Sequence, residues 1–465
     1  MYQMMVDECG RGNSGPLIFR RVAGMFPKRA VAAGDGARLE LRESSHRMSI
    51  APQRSFTAVL LAFSAACQRT PAVSVSVPAP DAVRAVLLVS LDGFRADYIH
   101  RPVAVRLRAL AASGVRAERM VPAFPSKTFP NHYTLVTGLR PEHHGIVANS
   151  MWDDVIGKKF TIADTLVTHD TRWWGGEPLW VTVEKQGRRA ASYFWVGSDI
   201  VIAGRLPTWW KRYDGRVPNT ERAKTVLDWL AMPPDTGPSF VSIYFSDVDD
   251  AGHKYGPGAP QVDSAIARVD SIIGVLVDGI AARGLAGRVD IVVVSDHGMA
   301  NLAPERVIYL DDYIDLARVE IVDITPVGAI SPKPGYDAEA YTRLKAAHPH
   351  MHVYRKGEVP ERFHFNTHPR ITKLVTLADE GWTMTTHAYV QKNGVPQGGT
   401  HGYDNQLPSM GALFVASGPD FRQGLVVPPF QNIHVYDLLA RLLQVTPAPN
   451  DGSMDSSRTF LRRPH

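Results

Sequence analysis

The chain has 465 residues, of which 45% are hydrophobic and 21% charged, with a formal net charge of +5. That length suits one large α/β domain or two ordinary ones, and the balance excludes a disordered or fibrous chain. With two cysteines only, Cys9 and Cys67, a disulfide scaffold and a cysteine-based zinc site are both excluded for the body of the chain.

Residues 1–47 show no clear periodicity and read as an upstream extension foreign to the natural protein. Residues 48–67 (MSIAPQRSFTAVLLAFSAAC) combine a start residue Met48, a basic Arg54, about ten mostly apolar positions and small residues before Cys67. This is the pattern of a signal peptide or lipoprotein signal, too short to span a bilayer. The expected location is periplasmic or secreted, with Cys67 a candidate lipid anchor. Residues 68–82 (QRTPAVSVSVPAPDA) are a linker, and the catalytic body is expected over 83–463. No apolar stretch there approaches twenty residues, and the small positive charge gives no nucleic-acid-binding stripe.

Within the body, 85–91, 240–245 and 291–295 are β-branched apolar runs, as expected of parallel strands covered on both faces; 413–417 is a weaker fourth. Between the second and third, Val262, Ile266, Val269, Ile273, Leu276 and Ile280 predict a helix over 260–283, and a last helix is expected at 435–443. The fold class is therefore α/β, an open, mostly parallel sheet flanked by helices on both faces. Each strong strand runs into chemistry: the first into Asp92, the second into Asp247, Asp249 and His253, the third into Asp296 and His297. Ligands in such sheets bind beyond the carboxyl ends of the strands. His401 lies in a glycine-rich turn, THGYDN. Oxygen and imidazole ligands without thiolate suit zinc, manganese or iron, and the set is too large for one tetrahedral ion.

Five segments carry a resemblance to a known family: SLDGFRADY (90–98), PAFPSKTFPNHYTLVTGLRPEHHGIVANSM (122–151), DVDDAGHKYGPG (247–258), SDHGM (295–299) and GTHGYDN (399–405). Together they resemble the nucleotide pyrophosphatase/phosphodiesterase family of the alkaline phosphatase superfamily, over roughly residues 84–445. Lacking the long extra domains of the animal enzymes, the chain looks most similar to the bacterial members. The resemblance implies an alkaline-phosphatase-like fold and two Zn2+ ions, one held by Asp249, His253 and His401, the other by Asp92, Thr128, Asp296 and His297. It implies Thr128 as the nucleophile that forms a covalent intermediate and Asn149 as a stabiliser of the phosphate oxygens. It also implies that Phe129 and Tyr213 sandwich a nucleobase, with Tyr244 lining the same pocket.

The expected substrate is a small nucleotide or other phosphodiester, hydrolysed to a nucleoside 5′-monophosphate by a monomeric enzyme with no nucleic-acid scaffold. Asn149 is neutral where a monoesterase often places a cation; Lys127 beside Thr128 is the one candidate cation, and it is discounted because the family shares it. The alternatives are a phosphomonoesterase or a phospholipid/choline-phosphate diesterase of the same superfamily. A non-catalytic scaffold would be expected to have lost ligands, and a sulfatase needs a modified Cys or Ser. Thr128 also precedes an expected helix that starts near Pro130 and ends at Gly138, where exposed amides favour phosphoryl oxygen; without the other motifs it would read as a helix cap. His364 and His368 are expected on a solvated loop.

Overall fold

Alternate side chains of the first apolar run point to opposite faces, and both faces are covered. In the computed structural model, which describes residues 84–462, Val86 and Leu88 join one buried cluster while Leu87, Val89 and Leu91 join another. This is why the run is continuous rather than alternating. Each fully buried Val or Leu contributes about 1.5–3 kcal/mol. The expected leader at 48–67, the linker at 68–82 and Cys67 lie outside the described residues.

The central sheet has eight strands: β1 (Ala85–Leu91), β2 (Val115–Ala117), β3 (Ala190–Tyr193), β4 (Trp209–Lys211), β5 (Phe240–Phe245), β6 (Val289–Val294), β7 (Phe414–Ser417) and β8 (Leu425–Val427). Their spatial order is β8-β2-β7-β6-β1-β5-β3-β4. All neighbours pair in parallel except at β7, which is antiparallel to both β6 and β2. The fourth expected strand is thus real but reversed, in a sheet that is otherwise parallel. The third expected strand begins two residues earlier than its apolar run because Asp290 is also inside it.

Four helices matter for the site: α1 (Thr128–Thr137), α2 (Asp247–Tyr255), α3 (Pro260–Ala282) and α4 (Val435–Leu442). The six apolar residues expected on one face of α3 are all buried, against the face of the sheet that carries Leu87 and Val89. On the other face, Leu135 and Val136 of α1 pack with Leu438 and Leu439 of α4. Gly138 ends α1 with φ +66°, its N–H donating to Thr134 O at 2.8 Å, a conformation that glycine adopts without penalty.

A second, antiparallel four-stranded sheet has the order Val319–Asp323, Val327–Pro332, Leu374–Ala378, Met351–Arg355. With the helix Asp337–Lys345 it builds its own small core around Ile330, Leu344 and Val353. Its first strand breaks register between Ile321 and Asp323, which bears on the Lys127–Thr128 segment below.

Candidate metal centre and phosphoryl site

Three adjacent strands, β6, β1 and β5, deliver the acidic residues. Asp92 follows β1 directly, Asp296 lies two residues past β6, and Asp249 enters on the first turn of α2. Helical periodicity then sets His253 on the same face as Asp249, with His253 Nε2 at 3.4 Å from Asp249 Oδ2. His401 arrives from the turn after the two-residue strand Gly399–Thr400. The result is two groups able to hold a cation, Asp249–His253–His401 and Asp92–Asp296–His297. They are contiguous: the rings of His297 and His401 stack at 3.5 Å with 12° between planes.

The donor chemistry fits metal ions. The Nδ1 atoms of His253, His297 and His401 lie 2.9, 2.9 and 2.8 Å from the backbone oxygens of Gly399, Gly298 and Ser126, which assigns each of them a proton. That fixes the tautomer of His253 and His401 and turns their Nε2 lone pairs into the cluster, whereas Asp296, its Oδ2 2.9 Å from His297 Nε2, favours a second proton on His297. His253 Nε2 and His401 Nε2 are only 3.1 Å apart. Asp92 Oδ1, Asp249 Oδ1 and Asp296 Oδ2 are buried without a hydrogen-bond donor. Buried carboxylate oxygens in that condition are costly unless a cation meets them.

The electrostatics agree. Burial, then the negative charges of Asp296 and Asp249, push the Asp92 carboxyl well above the usual carboxylate range, although Tyr244 donates to it. Burial opposes ionisation of Asp296 too, but the charges of His297 and His132 hold its carboxyl well below that range. Burial, with the His297 and His253 rings, pushes His401 well below its ordinary value, so it is neutral and able to act as a ligand.

Thr128 is the first residue of α1, and Lys127 holds the cap position with extended backbone. The threonine hydroxyl is therefore not spent on capping; its Oγ1 lies 3.2 Å from His297 Nε2. Asn149 is buried, and its Oδ1 accepts the Phe129 N–H at 2.9 Å, which leaves its two amide hydrogens to donate elsewhere. Lys127 is buried and its ammonium pairs with Asp323 Oδ2 at 2.5 Å, so the one candidate cation beside Thr128 is already committed.

The expected base-binding aromatics fall in two clusters. Phe129 is half-buried and meets Phe160 and Trp174 at 6.0 and 6.3 Å. Tyr213 is 54% exposed and contacts Phe194 and Tyr244 at 5.2 and 6.2 Å. Tyr244 does more than line a pocket: its hydroxyl donates to Asp92 Oδ2 at 2.6 Å. His364 and His368 are half-buried rather than solvated, in a segment whose Phe363 and Phe365 pack on Phe124.

Two groups escaped the sequence reading. His132 is fully buried on α1, with Nδ1 3.3 Å from Asp296 Oδ2 and Nε2 2.8 Å from Ser90 Oγ. Its position four residues after Thr128, on a helix the sequence does predict, was the available signal. Ser126 was the other: its carbonyl fixes His401 and its hydroxyl donates to Tyr403 O at 2.9 Å.

With this arrangement in hand, comparison with known proteins decides the family. The model of the type I phosphodiesterase / nucleotide pyrophosphatase family matches residues 86–404. The chain belongs to that family. Mouse bis(5′-adenosyl)-triphosphatase enpp4 is 39% identical over 381 residues, covering 81% of each protein. Rat ectonucleotide pyrophosphatase/phosphodiesterase family member 3 is 38% identical over 391 residues, 82% of this chain. The chain spans 44% of the length of that rat protein. Among solved structures, an inactive variant of murine ectonucleotide pyrophosphatase/phosphodiesterase 5 in complex with AMP superimposes with a TM-score of 0.78 at 36% identity. It covers 81% of this chain and 100% of the solved one. The family residues 86–404 take in β1 through β6, both candidate metal groups, Thr128 and Asn149.

Proposed function

We propose that the chain is a two-zinc hydrolase of nucleotide phosphodiester or pyrophosphate bonds that releases a nucleoside 5′-monophosphate. The observation that carries this reading is the buried set of three unsatisfied carboxylate oxygens and three oriented imidazoles, with the Thr128 hydroxyl at its edge. Asp249, His253 and His401 would hold one ion; Asp92, Asp296, His297 and Thr128 would hold the other. A divalent cation there supplies Lewis acidity, lowering the pKa of a bound hydroxyl and offsetting phosphoryl charge.

The chain's own residues do the rest. Thr128 Oγ forms a bond to phosphorus as the bond to the leaving oxygen breaks, and the leaving group departs with that electron pair and takes up a proton. Water then adds to phosphorus of the nucleotidyl-threonine, the Oγ–P bond breaks, the nucleoside 5′-monophosphate leaves, and Thr128 regains its proton. Asn149, fixed through Phe129 N, donates to the phosphate oxygens. Phe129 and Tyr213 bracket the nucleobase, each braced from behind by other rings. Commitment of Lys127 to Asp323 leaves the phosphate opposite a neutral Asn149, which favours a diester over a dianionic monoester. The AMP found with the murine relative is the product type this chemistry predicts.

Export by residues 48–67 to a periplasmic or secreted location, with Cys67 a candidate lipid anchor, and a monomeric state complete the proposal; export agrees with relatives named as ectoenzymes. Among the described residues no helix is long and apolar enough to cross a membrane. The deciding experiment pairs metal analysis with a panel of aryl-phosphate mono- and diesters and nucleotides. Two zinc equivalents and faster diester than monoester hydrolysis are expected; a preference for the monoester would replace this reading with a phosphomonoesterase.

A further inference from the structure

Lys127 is 1% exposed, yet nothing about its place next to Thr128 requires a buried charge. Its ammonium meets Asp323, 16% exposed, whose other oxygen accepts the Ile324 N–H at 2.9 Å. Asp323 sits at the register break of the second sheet, so a β-bulge is what aims this carboxylate at the nucleophile segment. Breaking a buried pair by removing one partner is costly, whereas replacing both partners with apolar groups is often neutral. Stability alone therefore does not explain why a charge pair is found here.

Its surroundings suggest what does. The lysine stem runs against the backbone after His401: a Cβ added at Gly402 would stand 3.2 Å from Lys127 Cε. The preceding residue, Ser126, is tied to that same segment through His401 Nδ1 and Tyr403 O. A cavity of about 20 Å³, enough for one water, is lined by Lys127, Asp323, Val147 and Ala148, the last adjoining Asn149. The pair thus abuts the segments bearing the nucleophile, the oxyanion donor and a metal-ligating histidine, and anchors all three to the second sheet.

We propose that Lys127 and Asp323 form a positioning pair that sets the register of Thr128, Asn149 and His401 relative to one another. The pair acts on geometry without touching substrate, and the proposal rests on the hydrolase reading above. Misplacement of reacting groups by about 1 Å can cost about a hundredfold in rate.

The test compares Lys127→Met, Asp323→Asn and the charge-free double variant Lys127→Met/Asp323→Leu with wild type. Thermal midpoint, bound metal, and kcat and KM for a nucleotide diester are measured on each. A positioning pair predicts that the double variant keeps its midpoint and metal, while kcat falls about tenfold to a hundredfold and KM moves little. Asp323→Asn, which preserves volume but leaves the lysine charge unpaired, lowers the midpoint and still gives the same fall in kcat with little change in KM, should the double variant fail to fold. Wild-type kcat in a folded, metal-loaded double variant overturns the proposal and leaves the pair a packing feature. Failure of the underlying reading looks different: wild type itself then lacks diesterase turnover, or keeps it after Thr128→Ala.

Discussion

The Nε2 atoms of His253 and His401 face each other at 3.1 Å, with Nδ1 of each hydrogen-bonded to a backbone oxygen. Two imidazole lone pairs repel at that distance unless a proton or a metal ion lies between them, and the proposed centre puts a metal ion there. Chelation of the purified protein is therefore expected to abolish turnover and lower the thermal midpoint, and zinc is expected to restore both. At a ligand concentration of a hundred times Kd the stabilisation is about 2.7 kcal/mol. His401→Ala should lose about one metal equivalent per chain, measured by elemental analysis; full retention of both ions would contradict the assignment.

Thr128→Ala removes the hydroxyl 3.2 Å from His297 Nε2 and leaves the three carboxylates and three histidines in place. Diester turnover is expected to fall by at least about a thousandfold with metal content near wild type. A stopped reaction of wild type with a nucleotide diester should show the nucleoside monophosphoryl group covalently bound to residue 128 by mass spectrometry.

Tyr244→Phe deletes the 2.6 Å hydrogen bond to Asp92 while keeping the ring in its aromatic cluster. An outer-shell partner of this type is worth about 10–100-fold in metal affinity. Competitive metal titration against a chelating dye should show the loss. Tyr213→Ala addresses a different property: KM for nucleotides should rise by the loss of about 1–3 kcal/mol of stacking, while an aryl phosphodiester without a base is hardly affected.

Stability should respond to pH at the far end of the sheet. Burial, reinforced by the charge of Asp420, raises the Asp290 carboxyl to about 8. Its folded value lies above its unfolded one, so the native state holds a proton that the unfolded chain releases. Stability from this group is complete below about pH 4 and is lost as pH climbs to about 8, with a slope of up to about 1.4 kcal/mol per unit. Asp290→Asn should flatten that slope in denaturant titrations across the range; an unchanged slope would show that Asp290 is ionised in the folded protein.

Much of the site was legible because its chemistry sits where periodicity ends. The apolar runs of β1, β5 and β6 stop at or just before carboxylates, and a sheet with both faces covered leaves only its strand ends for polar work. Asp249 and His253 stood out as a carboxylate and an imidazole four residues apart, and the helix over Asp247–Tyr255, which was not expected, is what puts them on one face. What the sequence concealed were tertiary relations with no local period. The antiparallel run of β7 is invisible in its side-chain pattern, since direction does not alter which residues are apolar. The commitment of Lys127 to Asp323 joins positions 196 residues apart, and a bulge rather than a motif makes it. Tyr244 read as a pocket wall because its residue type announces a ring; only the structure shows where its hydroxyl goes.

The three acidic groups arise from strands that are immediate neighbours in the order β6-β1-β5. Hydrogen bonding fixes such neighbours about 4.8 Å apart, close to the roughly 4 Å between paired catalytic ions. In the proposed two-ion centre, with Asp92 and Asp296 on one ion and Asp249 on the other, the β1–β5 spacing would then set the distance between the ions. Strand pairing deep in the sheet, rather than any surface loop, is then what calibrates this centre, so substitutions that shift a strand should detune catalysis from well outside the pocket.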